Sequence, residues 1–299
     1  MITTQQLRQG LLGAAAISVV GVACSNRLRD YTQLTLKATA KGADTEITAD
    51  SLDETKGILE KRLAELGLGT AELETAEPDQ LIVRLPEAAA IDMVSETLTR
   101  VGQLTLRSQK PDTEDELAQG IEALQRLLVE QNTLRQTNKL SEAEALQTQI
   151  DEARATLISL FEPGEITGEM LLDAQAVEIT GFNTWEVRIW FDSQGTALFA
   201  EQTKAIAGTG RAIGVFLDDV LLSAPVVEIA FAESGIEGGE ASIAGNFTQQ
   251  AAEELEIQLK SGALPLDLSL AEIVSSDQPT GASTSDESTS DESTPKTVD

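Results

Sequence analysis

The chemistry open to this chain is narrow, because residue types that much of enzymatic catalysis needs are missing. The 299 residues contain no histidine and one cysteine, Cys24. Ser-His-Asp and Cys-His nucleophilic catalysis are therefore excluded, as are histidine-based metal sites and any intrachain disulfide. Fifty Asp and Glu residues leave carboxylate-only metal or glycosidase chemistry open. At that density close acidic pairs arise by chance, and none stands out. Gly208, Gly210 and Gly214 invite comparison with a dinucleotide-binding loop. The third glycine falls one position late, and the segment follows a helical pattern and leads into an apolar run. That is the reverse of the strand–loop–helix order that points a helix N-terminus at a pyrophosphate, so the segment reads as a helix exit and a turn. Asn246-Phe247-Thr248 fits the glycosylation pattern but opens a helix and is taken as accidental. No catalytic residue, cofactor or metal ligand is expected, and the chain reads as a non-enzyme.

Charge narrows the partners. Lys and Arg number 21 and the formal net charge is −29, so phosphate backbones are repelled and nucleic acid is not expected as a partner. Aromatics are only 3%, which leaves Leu, Ile, Val and Ala to build the core. Near the N-terminus, Arg8 precedes an apolar run from Leu11 to Ala23 that is short against the roughly 20 residues a membrane span needs. It closes on Val22-Ala23-Cys24-Ser25, a small residue before the lone cysteine, which resembles a lipoprotein cleavage site and marks Cys24 for lipidation. The alternative is a short uncleaved anchor helix. Either way residues 1–24 serve as signal or anchor, and residues 25–299 are expected outside the cytoplasm, tethered to a membrane.

Periodicity supplies the elements. Thr32 to Ala38 alternates as a strand. Ser51-Leu52-Asp53-Glu54 reads as a capping box for a helix through Ile58, Leu59, Arg62, Leu63 and Leu66 that stops at Gly67. Within it Arg62 reads as a solvated residue with its stem laid along the surface. Strands Ala71–Thr75 and Leu81–Leu85 flank a Pro78-Asp79 turn. A second helix, Ala88–Arg100, and a fourth strand, Gln103–Arg107, complete βαββαβ, the ferredoxin-like split motif. Between 113 and 160, Leu117, Ile121, Leu124 and Leu128, then Leu146, Ile150, Ala153 and Leu157, predict an antiparallel helical hairpin with a thin apolar seam. Thr167 can cap a short helix, with Asp173 making a local hydrogen bond. Trp185–Phe191 alternates as a half-buried strand, and Gly195–Ala207 reads as a helix. Ala212–Leu217 is a buried strand that turns at Asp218-Asp219 into Val220–Leu222. Thr248 caps a helix whose Ala252, Leu255 and Leu259 share a face; Gly262 ends it and Pro265 prevents its resumption. Residues 271–299, with Ser-Thr-Ser-Asp-Glu twice over, read as a disordered acidic tail.

Several short motifs fall in one order: Leu217-Asp218, Ser223-Ala224-Pro225, Gly245-Asn246-Phe247-Thr248 and Ser261-Gly262-Ala263-Leu264-Pro265. Upstream are Arg62, Leu66-Gly67, Val83-Arg84-Leu85-Pro86, Gly102-Gln103-Leu104 and, in an L-T-G-x-x-L-x-D-A pattern, Gly168 and Asp173. Together they resemble the first periplasmic domain of SecD, a subunit of the bacterial protein-export translocase, over Thr32 to Leu268. The hairpin resembles an insertion in cyanobacterial SecD proteins. Asn26 to Tyr31 departs from the family's G-L-D-L-R-G-G motif, and no apolar run near membrane length follows Pro265. The resemblance implies an α+β fold. A ferredoxin-like base would comprise 30–108 and 248–270. A head subdomain would comprise 109–247, with the hairpin inserted at 113–160, and the hinges would lie near Ser108-Gln109 and Gly245-Asn246. It implies an accessory of protein export that holds a translocating polypeptide on the extracytoplasmic side, periplasmic or thylakoid-lumenal, without proton-coupled activity of its own. The implied partners are the translocating preprotein, SecF, SecYEG or a full-length SecD, and the membrane through the N-terminal anchor. The alternative is a membrane-anchored structural or adaptor lipoprotein that reuses the fold and works through the hairpin.

Overall fold

The computed structural model describes residues 31–276 apart from 42–45, 77, 87–88 and 183. Cys24, the segment 1–24 and residues 277–299 lie outside the described residues. In chain order the first elements are β1 (Tyr31–Ala40), α1 (Ala49–Glu65), β2 (Glu72–Ala76), β3 (Gln80–Pro86) and α2 (Ile91–Thr99). A long middle section follows: β4 (Leu104–Ser108), α3 (Glu114–Gln136), α4 (Leu140–Ala145), α5 (Gln147–Ser159), β5 (Ile166–Thr167), β6 (Leu171–Ile179), β7 (Thr184–Phe191), α6 (Ser193–Ile206), β8 (Ile213–Leu217), β9 (Val220–Ser223), β10 (Glu240–Phe247) and α7 (Gln249–Ser261). The last described element is β11 (Leu266–Ser275).

The first core is one antiparallel sheet, in the order β11-β1-β3-β2, with α1 and α2 packed on it. Alternation decides which side chains meet the helices. Leu34, Leu36 and Ala38 of β1, Leu81, Val83 and Leu85 of β3, and Leu266 and Leu268 of β11 are buried against Leu59, Leu63 and Leu98. Helix α1 begins a turn earlier than the sequence reading placed it. The capping box is Thr48 with Ser51, each side chain accepting from the other's backbone N–H.

The fourth strand is also different. Gln103–Arg107 was expected to close the βαββαβ sheet, but β4 pairs with β5 and β8 in another sheet, and β11 takes the place beside β1. The cause is visible in β4: Leu104, Thr105 and Leu106 are all buried, so the strand needs cover on both faces. Only the second sheet system offers that. Residues 271–275, read as tail, are the end of β11, paired up to Thr32 with Ser275.

The second core lies between the sheets β10-β7-β6 and β5-β4-β8-β9, closed by α6 and α7. Helix α7 turns Ala252, Leu255 and Leu259 into this core. The hairpin α3–α5 makes a third cluster: Leu117, Leu124, Ile150 and Leu157 meet Phe161 and Phe216. Phe161 packs edge-on against Phe216 with centroids 5.0 Å apart, so the hairpin is seated on the back of β8. Burying one such ring contributes about 1.5–3 kcal/mol.

The chain passes between the first and second cores twice, at 100–103 and at 262–265. Neither crossing is where hinges were expected. Ser108 pairs with Ile213 inside the β4–β8 ladder, and the Gln109 side chain accepts from Ala212 N at 2.9 Å. Gly245-Asn246 sit at a bulge in β10, which is paired with β7. Among the described residues no helix is long and apolar enough to cross a membrane.

Candidate functional site

Two features concentrate the functional possibilities: an apolar groove in the second core and a polar junction between the cores. The groove has a volume of about 360 Å³. Leu106 and Val215 contribute from one sheet, Ile189 and Ile243 from the other, and Phe199 from α6. Beside them the segment Pro225–Phe231 forms a wall, with Val226 57% exposed. Strand β10, which also lines the groove, is an edge strand of its sheet.

The local sequence builds that wall. Asp218 and Asp219 both adopt left-handed φ, 51° and 61°, which suits the two-residue turn joining β8 to β9. Pro225 O then accepts from Ile213 N at 2.9 Å, sending the chain across the groove towards α6. Gly208 N donates to Val227 O at 3.0 Å. Thr203 Oγ1 accepts from Ile236 N at 2.8 Å. Gly235, at φ +77°, passes so close to α6 that a Cβ there would lie 1.8 Å from Ala200 O; only glycine allows the segment to dock. The charged lining groups are Glu228 and Glu240. The arrangement offers apolar area, a sheet edge and negative charge, the features that hold an extended, non-acidic peptide.

The junction centres on Arg62. Its residue type predicts a solvated side chain; in the structure it is fully buried. Its Nε donates to Ser261 Oγ at 3.1 Å and its Nη1 to Thr97 O at 2.9 Å and to Arg100 O. Its Nη2 donates to Val101 O at 3.0 Å and Gly262 O at 3.1 Å. These acceptors cluster at the C-terminal ends of α2 and α7, where helix carbonyls lack intrahelical partners and the helix dipole favours a cation. Burial pushes the Arg62 pKa down to about 10, with the Asp218 carboxylate opposing that fall, so the guanidinium stays charged at neutral pH. The signal was present in the spacing: position 62 falls on the same stripe as Ile58, Leu59, Leu63 and Leu66.

Asp218 completes the junction. Its carboxylate accepts from Gly102 N at 3.1 Å and Gln103 N at 2.8 Å, while its own N–H donates to Gln103 O at 3.0 Å. Gly102 has φ +80°, and a Cβ on it would stand 3.0 Å from Arg62 Nη2. Asp219, next in the turn, faces Arg107 at 2.6 Å, and that guanidinium lies 4.6 Å over the Phe216 ring.

Of the motif residues, Arg62, Asp218 and Gly262 thus meet at the junction. Gly168, Gly262 and Pro265 line a neighbouring cleft of about 600 Å³. Ser223 and Pro225 lead into the groove wall. The others act locally. Gly67 ends α1 at φ +73°, and Pro86 closes β3 opposite Tyr31. The Asp173 carboxylate accepts from Ala174 N at 2.9 Å. Gly245 makes room for Phe247, whose ring would come within 2.9 Å of a Cβ there. Cys24 lies outside the described residues. The groove itself escaped the sequence reading, because Leu106, Ile189, Phe199 and Val215 each read as ordinary core.

In sequence and in overall fold the chain is similar to known proteins. A family model described as SecDF, P1 head subdomain, matches residues 143–266. The chain is 37% identical over 249 residues to the protein translocase subunit SecD of Synechocystis sp., covering 82% of this chain and 53% of that one. It is 31% identical over 278 residues to SecD of Prochlorococcus marinus, covering 82% and 56%. The chain therefore spans about half the length of these curated relatives. A solved structure titled as that of a membrane component SecDF that enhances protein export matches with TM-score 0.57 and 25% identity, over 80% of this chain and 98% of that one. A crystal structure of SecDF in a super-membrane-facing form matches in fold with TM-score 0.61 and 24% identity, over 82% of this chain and 30% of that one.

Proposed function

We propose, from the similarity of the described chain to a SecD periplasmic domain, that it serves protein export by holding a translocating polypeptide on the extracytoplasmic side of a membrane. The groove carries this reading. An extended chain laid along the edge of β10 gains backbone pairing from the strand and side-chain burial from Leu106, Ile189 and Val215. No catalysis and no proton-coupled activity of its own are needed. The body around the first core acts as a ferredoxin-like base and the body around the second as the head. Cys24 supplies a lipid anchor, and SecF, SecYEG or a full-length SecD are the partners through which the head meets its cargo.

Photo-crosslinking during export tests the reading. A crosslinker at Val226 should capture a precursor arrested in mid-translocation, and one at Leu172, which is 71% exposed and does not line the groove, should not. Equal capture at both positions, or none, would refute it. An adaptor working through the hairpin is the alternative, favoured by the exposure of Val129 and Leu140. Changing Val129 to Glu separates the two without unseating Phe161 from Phe216: loss of a bound partner with unchanged export would favour the adaptor.

A further inference from the structure

We propose that Arg62 is a positioning residue that fixes the angle between base and head by drawing both chain crossings onto one guanidinium, with Asp218 tying the head's β8–β9 turn to the first crossing. The described chain leaves the base only through 100–103 and returns only through 262–265. The first crossing gives Arg62 its Arg100 and Val101 carbonyls. The second gives it Gly262 O, and is joined to the first by Leu264 N donating to Val101 O at 2.8 Å. Each crossing contains a glycine with left-handed φ, Gly102 at +80° and Gly262 at +90°. These are the positions where the backbone has most freedom to swing, and the guanidinium sits between them.

Arg62 itself belongs to the base, held by α1 between Leu59 and Leu63 of the first core. A rotation of the head must therefore move one or both crossings off a buried charge, stripping acceptors that nothing else replaces. Asp218 adds the head's own grip, since its carboxylate bonds two consecutive amides of the first crossing. The guanidinium fork matters here. A lysine keeps the charge but offers three donors from one point and cannot reach both crossings in the same plane. The proposal does not depend on what the groove binds.

The test is a distance distribution measured by pulsed dipolar spectroscopy in the full chain with Cys24→Ser. Spin labels go at Glu60 on the base and Leu172 on the head. R62K should broaden the distribution about twofold while hydrogen exchange in β1, β3 and β7 stays protected. D218N keeps a residue that tolerates left-handed φ in the turn. It should broaden the distribution less and speed exchange at Gly102 and Gln103 about tenfold. D219N, which loses only the pairing with Arg107, should leave the distribution unchanged. A folded R62K with the parent distribution overturns the proposal, even if its Tm falls. Should R62K not fold, D218N decides alone, and an unchanged distribution there overturns it equally.

Discussion

The groove and the junction solve opposite problems with neighbouring pieces of chain. The groove has a floor of buried core side chains and exposes Val226 at its wall, and its polar bonds fix that wall: Thr203 to Ile236, Gly208 to Val227, Ile213 to Pro225. The junction does the reverse. It buries a full charge and surrounds it with oxygen acceptors from both bodies. An apolar groove tolerates varied occupants because dispersion and burial are non-directional. A buried guanidinium tolerates one geometry, because each lost acceptor leaves a charge unsatisfied. On the proposed function the difference is a division of labour, in which one region would bind loosely by shape and the other would hold the binding region in place.

The contrast can be broken at several strengths. Replacing Arg62 by Met should have the largest effect, costing about 3–5 kcal/mol in denaturant unfolding, because carbonyls of both crossings lose their donor. That loss should be constant between about pH 5 and 8, since Arg62 stays protonated there. Burial holds its folded pKa, at about 10, below that of the unfolded chain. The unfolded chain therefore binds more protons only between those two values, and only there would this group make stability rise with pH. Gly235→Ala should cost about 2–3 kcal/mol, combining left-handed strain with the clash at Ala200, and should also disturb the groove wall. Val226→Asp should weaken capture of an apolar peptide about tenfold and change stability by less than about 0.5 kcal/mol. The smallest effect belongs to Lys260, whose Nζ bonds Glu65 at 2.9 Å across the α7–α1 contact. That hydrogen bond raises its pKa. Lys260→Met should cost about 0.2–1 kcal/mol, the usual scale of a solvent-screened pair. The small stabilisation is present at neutral pH and is lost as pH rises through the raised pKa. If Val226→Asp destabilised the protein as much as Arg62→Met, the division of labour would fail.

How much of this was legible in the sequence follows from the same physics. Alternation in β1, β3 and β7, the apolar run of β8 and the caps at Thr48 and Thr248 are local, so strands and helices could be read, with Thr48 missed by one turn. The partner of a strand is not local. Leu104-Thr105-Leu106 reads as a good strand for either sheet, and only burial on both faces decides for the second. β11 was cut short because Glu272 and Ser275 look like tail composition, yet β1 offers them a free edge. Asp218-Asp219 was readable as a turn but not as an anchor, because its partners, Gly102 and Gln103, are more than a hundred positions away. Arg62 was judged by residue type when its position on the apolar stripe was the better guide.

The most direct measurement is methyl NMR of the full chain titrated with an extended, non-acidic apolar peptide. Shifts are expected in the methyl groups of Leu106, Ile189, Val215, Val226 and Ile243, with those of Val129 and Leu140 on the hairpin unmoved. Shifts confined to the hairpin, or none at peptide concentrations that saturate other extended-chain binders, would contradict it.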